Sequence, residues 1–214
     1  MPASNICVAS RIKWFLVENV RSARRFLKRC DPAIDIDILH FTVLDEHTDS
    51  SDVASMLEPL RQGHDMAVIS EAGCPGVADP GALAVEQAHR LGARVVPLVG
   101  PSSILLALMA SGFNGQSFSF LGYLPYAVAE RDRTFKDMER DIRLRRRTQI
   151  FIETPYRNNK LIEELVRRLP GDLRLCVASD ITGRRESIST LTLRQWKGRR
   201  YDYDKIPTIF LLYI

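Results

Sequence analysis

The first half of the chain alternates short apolar, β-prone runs with segments of helical periodicity. The runs "IKWFLV", "ILHFTVL", "MAVIS" and "RVVPLVG" predict strands. Helical segments follow the first three of them: "VRSARRFLKRC", "DSSDVASMLEPLRQG" and "ALAVEQAHRLG". In these segments apolar residues recur every three or four positions. This alternation predicts a parallel sheet flanked by helices, because two parallel strands need a long crossover between them.

The pattern changes after the apolar helix "SSILLALMASG" and the segment "SFSFLGYLP". Gly122, Pro125 and the polar residues beyond them predict a linker. The charged helix "ERDRTFKDMERDIRLRRR" and the strand "TQIFIE" follow, then a helix that begins at "TP" and the strands "LRLCVASDI", "ESISTLTL" and "PTIFLLYI". We therefore expect an α/β fold of two domains, with a largely parallel sheet in residues 1–121 and a mixed sheet in residues 122–214.

Composition excludes several classes of protein. With 45% hydrophobic and 26% charged residues, the chain is typical of globular proteins. It has no apolar run of the roughly 20 residues that a membrane helix needs, and its first residues do not resemble a signal peptide. The four cysteines are scattered, without C-x-x-C or His/Cys metal spacing, so we expect free thiols in the cytoplasm and no metal. A net charge of +4 permits an anionic partner such as RNA.

The connection after "MAVIS" is unusually rich in glycine and proline. In "VISEAGCPGVADPG" the glycines allow close backbone approach, the prolines shape the segment in advance, and Glu71 and Asp79 can accept hydrogen bonds from hydroxyl or amine groups. In open α/β sheets, ligands bind beyond the carboxyl ends of the strands, where this loop lies. A tight turn that only caps the next helix is the alternative, although such a turn needs few residues. The motifs of phosphate loops and of dinucleotide-binding loops are both absent.

Four motifs, in order, resemble one known family. "SEAGCPGVADPG" resembles the S-[DE]-A-G-x-P-x-x-x-D-P-G signature of the tetrapyrrole methylases. "VVPLVGPSSILLALMASG", "FSFLGYLP" and "TQIFIETPYRNNKLIEEL" resemble the motifs that follow it in that family. The most similar branch contains the bacterial small-subunit ribosomal RNA 2′-O-ribose methyltransferases. The resemblance implies two α/β domains, S-adenosylmethionine (SAM) in the cleft between them, and a homodimer.

The resemblance also implies which residues bind SAM. Transferred position by position, they are Ser70, Glu71, Ala72, Gly73, Ser102, Ser103, Glu153, Ile181 and Pro207. A carboxylate such as Glu71 or Glu153 suits a ribose or amino group, and small residues let the backbone approach the adenosyl group. For catalysis only two candidates emerge, His47 in "LDEHT" and Glu18 in "ENVR". A histidine can deprotonate a substrate hydroxyl, but it can equally hydrogen-bond a neighbouring loop.

The chain departs from the family pattern in three places. Family members open with a strand and a Pro/Gly-rich loop, and no such segment precedes Ile12, so we expect the parallel sheet to lack a central strand. Either the sequence starts too late or the protein does without that strand. The rRNA branch has E-D-T-R where this chain has "ENVR", with the neutral Asn19 at the aspartate position, and Glu71 replaces an aspartate.

Three functions stay open: methylation of RNA ribose, methylation of a tetrapyrrole or other small molecule, and non-catalytic SAM binding.

The densest basic run is "RDIRLRRR", residues 140–147. It can contact phosphates, or it can be a solvated helix face with cations near the helix C-terminus. We favour the solvated face, because cations near a helix C-terminus stabilise the helix.

Apolar residues around the domain junction predict self-association. The helix "SSILLALMASG" is apolar nearly all round, and Phe118, Phe120, Tyr123 and Leu124 follow it. We expect an isologous homodimer through this region. The alternative is that these residues only join the two domains of one chain.

Overall fold

The computed structural model describes residues 2–71 and 73–214. The chain forms two compact units, Met1–Ser102 and Ser103–Ile214. This division lies earlier than the expected boundary between residues 121 and 122, because the chain from Ser103 onward packs with the second sheet.

The first unit contains a three-stranded parallel sheet of order β2-β1-β3, in which Trp14 of β1 is paired with His40 and Met66. The parallel, helix-flanked arrangement predicted from the sequence is therefore confirmed. The described elements of this unit are α1 (Ala3–Ala9), β1 (Trp14–Val17), α2 (Val20–Cys30), a 3₁₀ turn (Ile36–Ile38), β2 (His40–Val43), α3 (Val53–Met56), α4 (Glu58–Arg61), β3 (Met66–Ile69) and α5 (Gly81–Arg90).

The helix predicted in "DSSDVASMLEPLRQG" forms as two four-residue helices, α3 and α4. Pro59 lies in the middle of this segment. Its ring nitrogen carries no hydrogen, so it cannot donate to the carbonyl four residues earlier, and the helix is interrupted there.

The apolar run at residues 94–100 does not form the predicted strand. Among the described strands none pairs with it, and its side chains Val96 and Val99 are exposed. The Asn5 side-chain amide of α1 donates a hydrogen bond to the Val99 carbonyl at 2.8 Å. A β-prone sequence forms a strand only beside a strand that offers backbone partners, and Pro97 removes one donor.

The second unit contains a five-stranded sheet of order β4-β5-β8-β6-β7. The β4–β5 pair is parallel and the other three pairs are antiparallel, which confirms the predicted mixed sheet. "FSFLGY", expected at the domain junction, is the edge strand β4. The described elements are α6 (Ser103–Ser111), β4 (Phe118–Tyr123), α7 (Val128–Arg145), β5 (Thr148–Ile152), a 3₁₀ turn (Pro155–Arg157), α8 (Asn158–Arg168), β6 (Arg174–Ser179), β7 (Ser187–Thr192), α9 (Leu193–Trp196) and β8 (Thr208–Tyr213).

The five-stranded sheet is covered on both faces. One face, with Phe151 and Phe210, packs in a large core with α7 and α8. The other face, with Ile150, Cys176 and Leu211, packs against α6. All four cysteines are free, as expected. Burial raises the pKa of the Cys176 thiol, so its reactive thiolate form is disfavoured.

Two short helices, α1 and α9, lie outside the sequence prediction. Helix α9 begins with a capping box in which Thr192 and Gln195 satisfy each other's backbone N–H groups. The T-x-x-Q pattern was therefore a readable start signal.

Helix α2 joins the parallel sheet through one narrow apolar face. Ala23 and Leu27 pack in a core with Phe15 and Val17 of β1. The helix begins at Asn19, whose side-chain oxygen accepts the Ser22 backbone N–H at 3.1 Å. Ala23 and Leu27 therefore attach α2 to the sheet.

We expect Leu27→Ala to lower the free energy of unfolding by about 2–5 kcal/mol, because it leaves a cavity between α2 and β1. Leu27 is 0% exposed, whereas its neighbour Phe26 is 37% exposed. Phe26→Ala is therefore the control and should cost much less. Urea denaturation followed by circular dichroism measures both variants. Equal losses would mean that Leu27 is not the residue that anchors this helix.

Candidate functional site

The loop after β3, residues 70–81, lies at the carboxyl edge of the parallel sheet. The register of β1 and β3 brings the residues that follow them, Glu18 and Ser70, side by side. A shallow recess at this edge is lined by both residues and by Asp79. The structure therefore places the loop where the sequence predicted a ligand site.

Two carboxylates and a hydroxyl tie the loop to β1 and α2. The Glu71 backbone N–H donates to Glu18 Oε1 at 2.9 Å, and the Ser22 hydroxyl donates to Glu71 Oε1. Glu18 therefore positions the loop, which the sequence did not indicate. Ser22 was missed altogether; its only signal was its place one turn after the helix cap Asn19.

Asp79 shapes the loop from within. Its Oδ1 accepts hydrogen bonds from the Gly76 and Gly81 backbone N–H groups at 2.7 and 2.8 Å. A Cβ at Gly81 would lie 2.8 Å from the same oxygen, so this turn requires glycine. One of the two Asp79 carboxylate oxygens is thus used by the loop itself, whereas Oδ2 is buried without a hydrogen-bond partner among the described residues.

Gly73 lies against the segment that leads into Ser102. Its φ is +122°, and a Cβ there would lie 2.7 Å from the Pro101 carbonyl oxygen. The Cys74 thiol donates to that oxygen at 3.2 Å. The sequence predicted that another group lies close to the backbone at Gly73. In the structure that group is the Pro101 backbone of the same unit. Ala72, the other small residue assigned to the site, lies outside the described residues.

His47 lies in an exposed turn after β2. Hydrogen bonds from the His47 backbone N–H and the Thr48 hydroxyl lower the pKa of the Asp45 carboxyl. The His47 side chain is 84% exposed, and its Nε2 lies 3.7 Å from Glu46 Oε1. The turn therefore uses the backbone of His47, and a catalytic role for its ring stays a prediction.

Glu153 belongs to a buried ion cluster in the second unit. Arg131 of α7 donates to Glu153 Oε2, and also to Glu164 Oε2 at 3.0 Å. Glu153 Oε1 accepts the Thr154 N–H at 2.9 Å. One guanidinium thus compensates two carboxylates that would be costly to bury unpaired. Arg131 was missed, although it falls on the same helical stripe as the buried Phe135.

Both oxygens of Glu153 have partners, and its proposed contact with SAM stays a prediction. The other residues assigned to this unit include Ile181 and Pro207. The Asp180 N–H donates to the Pro207 carbonyl at 2.9 Å, which brings these two segments together. They lie at the same end of the sheet as Glu153, because β5 and β6 both end beside the start of β8. Ser103 opens α6 and is exposed.

The basic run at residues 140–147 is largely paired with acids. Arg140, Arg143, Arg145 and Arg147 form ion pairs at 2.8 to 3.4 Å. Three of these pairs join side chains one turn apart on α7. This pairing favours the interpretation of the run as a solvated helix face.

In residues 2–71 and 73–214, no helix is both long and apolar enough to cross a bilayer. Over the same residues, no group of His, Cys, Asp and Glu side chains is arranged to hold a metal ion.

Known proteins resemble this chain over most of its length. A profile of the family described as Tetrapyrrole (Corrin/Porphyrin) Methylases matches residues 19–196. The ribosomal RNA small subunit methyltransferase I of Vibrio cholerae is 30% identical over 188 residues, which cover 88% of this chain and 62% of that protein. The protein of the same name from Haemophilus influenzae is 35% identical over 159 residues, 73% of this chain and 55% of that protein. This chain thus spans little more than half the length of these curated relatives.

A solved structure supports the fold independently of these sequence matches. The crystal structure of the methyltransferase CobJ superposes with a TM-score of 0.58, at 16% identity, covering 94% of this chain and 93% of CobJ. At that identity the likeness concerns the fold alone.

We expect Gly73→Ala to destabilise the first unit by about 1–3 kcal/mol, because it combines a left-handed φ with a collision against Pro101. Gly63→Ala is the matched control. Gly63 also has a positive φ, +83°, but a Cβ added there would have no atom within 4 Å. The measurements are urea denaturation and hydrogen exchange over residues 70–81. If both variants unfold and exchange alike, contact with Pro101 does not hold the loop.

Proposed function

Because this chain belongs to the tetrapyrrole (corrin/porphyrin) methylase family, we propose that it is a SAM-dependent methyltransferase that acts on a ribose 2′-hydroxyl of small-subunit ribosomal RNA. The observation that carries this proposal is the loop at residues 70–81, held at the carboxyl edge of the parallel sheet by Glu18, Ser22 and Pro101. The names of the curated relatives support RNA as the substrate. Such a substrate places the protein in the cytoplasm, where ribosomal subunits are assembled.

The residues of the loop suit the polar groups of SAM. The carboxylate of Glu71 is exposed and can accept hydrogen bonds from an amino group or from ribose hydroxyls. The Ser70 and Ser102 hydroxyls can both donate and accept. When bound, SAM supplies a methyl group already activated by a positive sulfonium. The residues of the chain therefore need to align the acceptor oxygen more than to activate it.

The chain must also receive the proton that leaves the ribose hydroxyl. Glu18 lies beside the loop, whereas the His47 side chain is in solvent. Glu18 is thus the better-placed candidate for a proton acceptor, in addition to its role in holding Glu71. Glu18→Gln separates the two roles, because an amide oxygen can still accept the Glu71 N–H but is a much weaker base.

We expect the protein to bind SAM with a Kd near 1 μM, which corresponds to about −8 kcal/mol. Glu71→Ala should weaken binding at least about tenfold, because it removes a charged hydrogen-bond acceptor. Glu46→Ala removes the same charge from an exposed turn and is the control. Titration calorimetry measures all three proteins.

The reaction itself is tested with radiolabelled SAM and isolated small ribosomal subunits, followed by nuclease digestion to detect 2′-O-methylated nucleosides. No heat of SAM binding at millimolar ligand would contradict the methyltransferase proposal. Methyl transfer to a tetrapyrrole but not to RNA would show that the proposed substrate is wrong. SAM binding without transfer to either would favour a non-catalytic role.

We also infer that the protein acts as a homodimer through its second unit. The residues of α6 and β4 leave large apolar side chains exposed, among them Met109 and Tyr123. Several exposed apolar side chains on neighbouring elements are typical of surfaces that bind another protein, whereas a single one is not. Two-fold symmetry would let the same surface pair with itself.

Light scattering should give about twice the chain mass of 24.3 kDa. Met109→Lys should shift the protein toward monomer, because it places a charge in the inferred interface. Leu144→Lys is the matched control, since Leu144 is 77% and Met109 79% exposed, and Leu144 lies on α7. A mass near 24 kDa at all concentrations would rule out the dimer for this chain.

A further inference from the structure

The outer face of α2 is a concentrated basic surface. Residues 1–102 contain ten lysines and arginines, and five of them lie on this eleven-residue helix, which has no acidic residue. Ala23 and Leu27 are buried, whereas all five of these side chains are exposed. They are Arg21, Arg24, Arg25, Lys28 and Arg29.

These cations differ from those of α7 in having no acidic partner. Across the described part of the chain, none of the five forms an ion pair, although four arginines in residues 140–147 do. Arg24 lies over the Phe41 ring at 5.5 Å, and Lys28 Nζ donates to the Pro32 carbonyl at 3.0 Å. Like charges one turn apart destabilise a helix unless counter-charges are present. The arrangement therefore suits an external polyanion.

Arg21, Arg25 and Arg29 are spaced four residues apart and form one ridge along the helix. Neighbours on such a ridge are about 5–6 Å apart. The first turn of α2 is joined to the site loop, because the Ser22 hydroxyl donates to Glu71. An anionic chain bound along the ridge would thus begin beside the loop at residues 70–81.

We propose that the Arg21–Arg25–Arg29 ridge binds the phosphate backbone of the RNA substrate and so holds the target nucleotide near the loop. This rests on the proposed function and names the surface that recognises its substrate. Evenly spaced guanidinium groups contact phosphates without regard to base sequence. A membrane is a poorer partner, because amphipathic helices that bind membranes insert an apolar face. Here that face, with Ala23 and Leu27, is buried against β1.

The test compares two triple variants of the whole chain. R21Q/R25Q/R29Q removes the ridge, and R140Q/R145Q/R146Q removes three exposed arginines of the second unit, so both lose the same charge from a protein of net charge +4. The probe is a short fluorescein-labelled single-stranded RNA, and fluorescence anisotropy gives its affinity from about 50 to 200 mM KCl. The ridge variant should bind at least about tenfold more weakly at low salt. The slope of its plot of log affinity against log salt concentration should be smaller in magnitude by about 2, because each of the three lost phosphate contacts contributes about 0.7. The control should match wild type.

Each other outcome has a definite meaning. Equal weakening of both variants, or an unchanged ridge variant, overturns the proposal and leaves the methyltransferase proposal intact. If the wild-type protein does not bind RNA at low salt, both the proposed role of the ridge and the proposed RNA substrate are wrong. Loss of SAM binding in calorimetry, with ridge-dependent RNA binding intact, contradicts the methyltransferase proposal alone.

Two further measurements complete the test. Circular dichroism checks folding, and if the triple variant is unfolded, Arg25→Gln alone should still lower the salt slope by about 0.7. Sedimentation with vesicles of equal parts phosphatidylcholine and phosphatidylserine checks the membrane alternative. Ridge-dependent vesicle binding with ridge-independent RNA binding would overturn the proposal.

Discussion

The first unit depends on the burial of β1 between two parallel neighbours. Its residues Phe15–Val17 are almost completely buried, and its register with β3 sets Glu18 beside Ser70. A one-residue slip would reverse the side chains of the strand between the two faces, so burial on both faces fixes this register strongly. The positions of the site loop and of α2 follow from it, because both segments begin where these strands end.

The loop at residues 70–81 is held in shape by its own unit. Asp79 closes its second half, Glu18 and Ser22 hold Glu71, and Gly73 lies against Pro101. A binding site whose backbone is already ordered loses less conformational entropy when a ligand arrives. The polar residues that the sequence assigned to ligand contacts thus also make hydrogen bonds that hold the loop in shape. A sequence motif alone does not reveal this second role.

Charge density along the sequence was a poor guide to the basic surface. Residues 140–147 are the densest run, yet most of their arginines are neutralised by acids one turn away or on a nearby segment. Helix α2 has fewer consecutive cations, but it lacks acids, so its charge stays available. Whether a cation is available depends on what packs beside it, and much of that information lies outside the local sequence.

The sequence by itself determined the α/β class, the parallel and mixed sheets, the family and the edge at which the loop at residues 70–81 lies. The fold class, the sheets and the position of the loop follow from periodicity and from glycine and proline chemistry, which act over a few residues, whereas the family follows from the resemblance of four motifs. Only the tertiary structure decided that the run at residues 94–100 stays irregular, that Arg131 compensates Glu153, and that Ser22 and Pro101 hold the loop. Each of these depends on a partner distant in the chain. The partner is a strand edge for the irregular run, a buried countercharge for Glu153, and the Pro101 carbonyl that leaves no room for a side chain at Gly73. Local patterns carry no record of such partners, so only packing could reveal them.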